Sequence, residues 1–164
     1  MKLWKKIIIG FVILFVAIQF IPSNRNMQAT IPSKDFIQVE NPPMEIANMI
    51  KNACYDSHSN ETKYPWYSNV APVSWWLDSH INEAREHLNF STWASNGEKN
   101  EAREECAEEI AEGKMPMQSY TLMHSEARLS NTEKQALVNW FNQNIPNESK
   151  GHKKGHEEEE DEDE

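Results

Sequence analysis

Glycine and cysteine are scarce in this chain, with five glycines and two cysteines among 164 residues. Neither G-x-x-x-x-G-K nor G-x-G-x-x-G occurs, so no glycine-rich loop is there to cradle phosphates, and nucleotide chemistry of those kinds is excluded. A basic stripe is missing too. Sixteen Lys and Arg face 26 Asp and Glu for a net charge of −10, and the unbroken acidic run at 157–164 supplies most of it, leaving residues 1–156 close to neutral. Nucleic-acid binding depends on neutralising phosphates, and nothing here provides that footprint. There is no internal repeat, and the length suits one domain with accessories rather than a multidomain enzyme.

What is present begins with Lys2, Lys5 and Lys6 ahead of an apolar run over 7–21, interrupted only by Gly10 and Gln19 and ended by Pro22. The run is short against the roughly 20 residues a spanning helix needs. No A-x-A-like cleavage site follows it, so residues 1–22 read as an uncleaved signal anchor, a transmembrane helix. Three lysines before the run and only Arg25 close behind place the N-terminus in the cytoplasm and the rest outside, as a single-pass inner-membrane protein with a periplasmic or extracytoplasmic domain. Residues 23–42, with Pro32 and Pro42, read as an extended tether holding at most a short strand near Phe36.

Residues 43–146 carry the domain, and its periodicities are helical: the fold class is all-α. A first helix opens at Pro43 and runs into Cys54, with Ile46, Met49, Ile50 and Ala53 at helical spacing. The loop over 60–72 is unusually aromatic, with Tyr64, Trp66 and Tyr67, and an apolar neighbour is expected against it. A second helix over about 72–88 places Val73, Trp76, Leu77, Ile81, Ala84 and Leu88 on its inner face and Asp78 on its outer one. A third over about 97–111 has the stripe Ala102, Cys106 and Ile110, with Gly113 as its stop. Ser130 and Glu133 form the capping box of the last helix, whose buried face holds Ala136, Leu137, Trp140 and Phe141. Residues 147–164 read as a disordered acidic tail.

Cys54-Tyr55-Asp56-Ser57-His58 is where chemistry enters. In C-x-x-C-H motifs two thiols attach haem and the adjacent histidine ligates its iron, while a distant methionine can close the other axial position. Ser57 stands at the second cysteine position. A hydroxyl is a far poorer nucleophile than a thiolate, so at most one thioether, from Cys54, is expected.

The stretch CYDSHSNETKYPWYSNVAPVSWWL, residues 54–77, resembles the haem-binding domain family of small exported bacterial proteins related to cytochrome c, which reads C-x-x-C-H-S-N, then Y-P-W-Y, then P-V-S-W-W. The resemblance continues through 80–93, through 113–120 with its G-x-M-P, and to Trp140. It implies a small cytochrome-c-like helical domain binding one haem, with His58 as proximal and Met115 as distal iron ligand. The function so implied is single-electron transfer with redox partner proteins at the membrane, not catalysis. Met117 competes as distal ligand. Haem could be held by one thioether or noncovalently.

A different reading comes from the cysteines alone. Two thiols in an exported chain invite a Cys54–Cys106 disulfide, which would make the protein a haem-free, stapled interaction domain tethered to the membrane. His80, Glu83 and His87 share a helical face that could hold a metal, although a solvated helix edge explains them better, because no Cys or third His joins them. Trp66, Trp75, Trp76 and Trp140 read as core or as the wall of a haem crevice.

Overall fold

The computed structural model describes residues 2–25 and 28–145, so the acidic tail expected over 147–164 lies outside the described residues. Helices and loops make up all of it; no strand occurs among the described residues. Helix α1, Leu3–Ile18, is apolar on every side beyond Lys5 and Lys6 and has no buried residue. At 1.5 Å per residue its 16 residues reach about 24 Å, less than the hydrocarbon thickness of about 30 Å. No helix among the described residues is long and apolar enough to cross a membrane, so the expected spanning helix over 1–22 is not supported.

The segment expected to be an extended tether differs most from its sequence reading. A 3-10 turn at Pro32–Lys34 leads into helix α2, Phe36–Glu40, whose N-cap Asp35 accepts the Ile37 N–H at 3.0 Å. Phe36 is completely buried, in edge contact with Trp93 and tilted against Phe90, both with ring centroids 4.8 Å away. The domain therefore starts well before residue 43. A five-residue helix is too short to persist alone; burial of one aromatic side chain and the Asp35 cap hold it.

Helix α3, Met44–Ala53, buries Ile46, Met49, Ile50 and Ala53 as its spacing predicts. It breaks at Cys54, whose φ of −123° leaves helical geometry, and a single turn, α4 at Tyr55–His58, follows. Helix α5, Val73–His87, has the predicted extent but a rotated face: Ser74, Asp78 and Ile81 are buried, whereas Val73 and Trp76 are exposed. Helix α6, Lys99–Ala111, buries Arg103, Ala107 and Ile110, with Ala102 and Cys106 half-buried. Gly113 at φ +74° ends it in a Schellman arrangement, Lys114 N–H donating to Glu109 O and Gly113 N–H to Ile110 O. The short helix α7, Gln118–Met123, leads to α8, Asn131–Gln143, which has the capping box read from Ser130 and Glu133 and packs along α6.

The core between these elements is aromatic and aliphatic: Phe36, Phe90, Trp93, Ile50, Leu137 and Phe141 are almost wholly buried. One ion pair lies at its border. Glu40 accepts from Arg103 at 2.6 Å and from the Trp93 indole N–H at 2.5 Å, and the Arg103 guanidinium also lies over the Trp93 ring.

Candidate functional site

His58 ends α4, and its position follows from the chain break at Cys54. The break turns the chain by one short helix, with the His58 N–H donating to Cys54 O at 2.9 Å, and aims the imidazole at the C-terminal end of α5. There Nδ1 lies 3.1 Å from the Ala84 carbonyl oxygen and 3.2 Å from that of Leu88. Carbonyls only accept, so Nδ1 carries the proton and the Nε2 lone pair is left for a ligand. This is how a metal-ligating histidine is usually held, with its second nitrogen tied to a carbonyl that fixes tautomer and ring plane. Burial lowers the His58 pKa below its ordinary value, against the opposing pull of the Leu88 and Ala84 carbonyls, which favours the neutral imidazole.

The residues after His58 hold this turn in place. Ser59, fully buried, donates its hydroxyl to Tyr55 O at 2.7 Å and accepts from the Glu61 N–H. Arg85 on α5 donates to Ser59 O and to the Thr62 hydroxyl, both at 2.8 Å. The Asn60 N–H donates to the Ser91 hydroxyl, and Asn89 donates to the Asn60 side-chain oxygen. The Ser-Asn that follows the histidine thus ties it to α5 and to the 3-10 turn at Phe90–Ser95. Tyr55 stacks on Phe90 at 5.5 Å and donates to the Asp35 carboxylate at 3.0 Å, linking the turn to α2.

Cys54 is half-buried, and the protein around its thiol pushes the pKa up to about 12 by desolvation. Cys106 is likewise raised, chiefly by burial and secondarily by the charge Cys54 would carry. The two cysteines pack against the same apolar core, but both are free and no disulfide joins them. Ser57 is half-buried.

Met115 follows the α6 stop, its N–H donating to Glu109 O at 3.1 Å, and joins Cys54 and Cys106 in packing against the apolar core. His58 approaches the same core edge-on to Phe90, with ring centroids 6.3 Å apart. Met117 is also half-buried, as the N-cap of α7. Beyond it, Tyr120 stacks on His124 at 4.3 Å and donates to the Asp56 carboxylate at 2.7 Å, while the Tyr67 hydroxyl meets His124 Nε2 at 2.8 Å. Asp56, Tyr67, Tyr120 and His124 therefore link the turn before His58, the aromatic loop and α7. Sequence reasoning did not single out this network, because no spacing relates residues that only the fold brings together.

Other sequence expectations come apart here. Trp66 and Trp76 are exposed rather than core residues, and the fully buried tryptophan among the described residues is Trp93. No cluster of three or more His, Cys, Asp or Glu able to hold a metal occurs among the described residues; His80 instead packs on Trp76, with Nδ1 at the Trp76 carbonyl oxygen. Two polar surface cavities, one beside Glu45 and Arg128 and one between Asn24 and α5, do not border Cys54, His58 or Met115.

A small all-helical domain with a carbonyl-anchored histidine one turn after a cysteine has the side chains with which a cofactor could be held. The chain belongs to the haem-binding domain family, whose family model matches residues 13–143. No curated protein and no solved structure matches it. Haem is accordingly its cofactor. The donor set fits: the His58 imidazole offers Nε2, Cys54 lies on the same turn, Met115 offers a thioether against the core, and Met117 a second, half-buried one.

Proposed function

We propose that this protein is a membrane-attached single-electron carrier of the cytochrome-c kind, with His58 as proximal and Met115 as distal ligand. The observation that carries the reading is the pair of Ala84 and Leu88 carbonyls on His58 Nδ1, which presents Nε2 as a fixed, neutral donor. The haem supplies the one-electron couple of its iron. The chain's own residues supply the rest. His58 is oriented by α5, the Ser59–Arg85 bond keeps the α4 turn against that helix, and the apolar core beside Met115 excludes water, which raises a reduction potential relative to an exposed iron. Were Met115 to bind the iron together with His58, no ligand position would be left for a substrate, which favours a carrier over an enzyme.

Attachment follows from the same residues. Cys54 is the one thiol in the motif, so the haem is held by a single thioether or without a covalent bond. A thiol with so high a pKa has little thiolate character, so attachment requires an open, unfolded or assisted state. In this reading α1, with residues 19–21 extending it, inserts in the inner membrane behind Lys2, Lys5 and Lys6, and the domain meets redox partner proteins on the extracytoplasmic side.

The test is a pyridine-haemochrome spectrum, before and after acid-acetone extraction, of the full chain made with periplasmic cytochrome maturation, alongside His58→Ala. Pigment with a low-spin spectrum, lost in His58→Ala, is expected. A normal low-spin spectrum in His58→Ala would overturn the proximal assignment. If Met117→Ala changes the spectrum and Met115→Ala does not, the distal ligand lies two residues further on.

A further inference from the structure

The aromatic loop and the start of α5 leave an apolar surface with no cover. Trp66 is 77 % exposed and Trp76 51 %, and Val73, one helical turn before Trp76's side of α5, is exposed as well. These residues face outward because the opposite side of the helix, with Ser74, Asp78 and Ile81, is the buried one. The stretch 64–77 contains no charged side chain at all, although a quarter of the chain is charged. A solvated loop would not be expected to combine full neutrality with two open tryptophans.

The end of the apolar helix α1 is fixed to this same surface. The Gln19 side chain makes a reciprocal pair with the backbone of Ala71, donating to its carbonyl at 3.1 Å and accepting from its N–H at 2.9 Å. The Trp75 indole N–H donates to Ile21 O at 3.3 Å, and Arg25 donates to Ser68 O at 2.6 Å. Phe20 and Ile21, between these anchors, are exposed. The exit of α1 therefore lies beside the elements that carry Trp66, Val73 and Trp76, with Arg25 and Asn69 bonded at the junction.

We infer that this surface is a lipid-docking face: Trp66 and Trp76 sit in the headgroup layer and hold the domain against the membrane at the exit of α1. Tryptophan suits that depth, with an apolar ring and one polar N–H, and is enriched there. The inference rests on the insertion of α1 proposed above. It adds that the domain does not hang on a free tether but lies with the N-terminal end of α5 on the bilayer. The absence of charge on 64–77 favours lipid over a protein partner, whose specificity generally draws on charged or polar pairing at the rim.

The full haem-loaded chain reconstituted in phosphatidylcholine vesicles, plain or brominated at shallow acyl positions, tests this. The readout is the tryptophan emission lost in Trp66→Phe/Trp76→Phe relative to the unsubstituted chain, so that signals from the other tryptophans cancel, taken as the ratio between brominated and plain vesicles, in which the quenching by haem is common to both. That difference emission is expected to be quenched by shallow bromines and shielded from aqueous iodide, while both proteins float with the vesicles. Difference emission untouched by bromine and open to iodide, in a chain that floats, overturns the docking and leaves α1 insertion standing; it would assign the face to a protein partner. A chain that does not float overturns both.

Discussion

The Nδ1 atom of His58 lies 3.1 Å from the carbonyl oxygen of Ala84, an atom at the C-terminal end of α5 that also accepts the Leu88 N–H. Helix ends leave carbonyls in need of donors, and the Leu88 carbonyl, 3.2 Å from the same Nδ1, gains one from the imidazole. The contact turns a local requirement of α5 into the orientation of an imidazole on α4.

Because the anchoring carbonyls are backbone atoms, they survive loss of the side chain. In His58→Gly, added imidazole is expected to restore a low-spin haem spectrum that disappears on dialysis. Absorption spectroscopy of the variant with and without imidazole checks this; a spectrum indifferent to imidazole would place the ligand elsewhere.

Phe36 belongs to the core although it precedes the segment that sequence assigns to the domain. Phe36→Ala is expected to destabilise the protein by about 3–5 kcal/mol, the usual cost of emptying a buried aromatic site. Urea titration followed by circular dichroism measures it, and a loss under 1 kcal/mol would return residues 32–40 to the status of a tether.

Glu40 and Arg103 are both largely enclosed, and Arg103 Nε is already buried without a partner. Glu40→Ala would leave the guanidinium uncompensated and remove the acceptor of the Trp93 indole. Breaking one side of such a pair costs about 3–5 kcal/mol. Replacing both residues by apolar ones is expected to cost less than Glu40→Ala alone, and denaturation curves for the single and double variants decide it.

Cys54 is expected to resist alkylation by iodoacetamide at neutral pH in the folded, haem-free protein and to react readily once urea is added, since its raised pKa suppresses the thiolate. Mass spectrometry of the quenched reactions reads the modification. Rapid labelling of folded protein would contradict the enclosed thiol, and recovery of only non-reducible alkylated species without urea would do the same.

The capping box makes its own pH dependence. Bonds from the Ser130 hydroxyl and N–H hold the Glu133 carboxyl below its ordinary pKa, so its contribution is present above that ordinary value and is lost as pH falls through the depressed one. In Glu133→Gln the acid-side slope of stability is expected to be shallower than in the parent, as thermal unfolding between pH 5 and pH 3, the range about the usual carboxylate pKa, would report.

Local signals proved sufficient wherever the chain is governed by its immediate neighbours. The apolar spacing of Ile46, Met49, Ile50 and Ala53, the extent of α5, the Gly113 stop and the Ser130–Glu133 box were all legible, because helix periodicity and caps are set within four or five residues. The reading failed at α2, where five residues lack any period long enough to see and tertiary burial of Phe36 makes the helix. It failed again on α5, where hydropathy alone turned Trp76 inward and Asp78 outward; the fold does the reverse.

The sequence by itself determined the haem-binding family of this protein, through the pattern that its residues share with that family, and the all-helical class, through period and caps. Only the tertiary structure decided which nitrogen of His58 is offered, since that depends on α5 bringing the carbonyls of Ala84 and Leu88 to Nδ1 across a separation of 26 and 30 residues. It likewise decided that Trp93 is the enclosed tryptophan and Trp66 and Trp76 the open ones, because which face of an element is covered depends on what packs against it, and no local pattern encodes that.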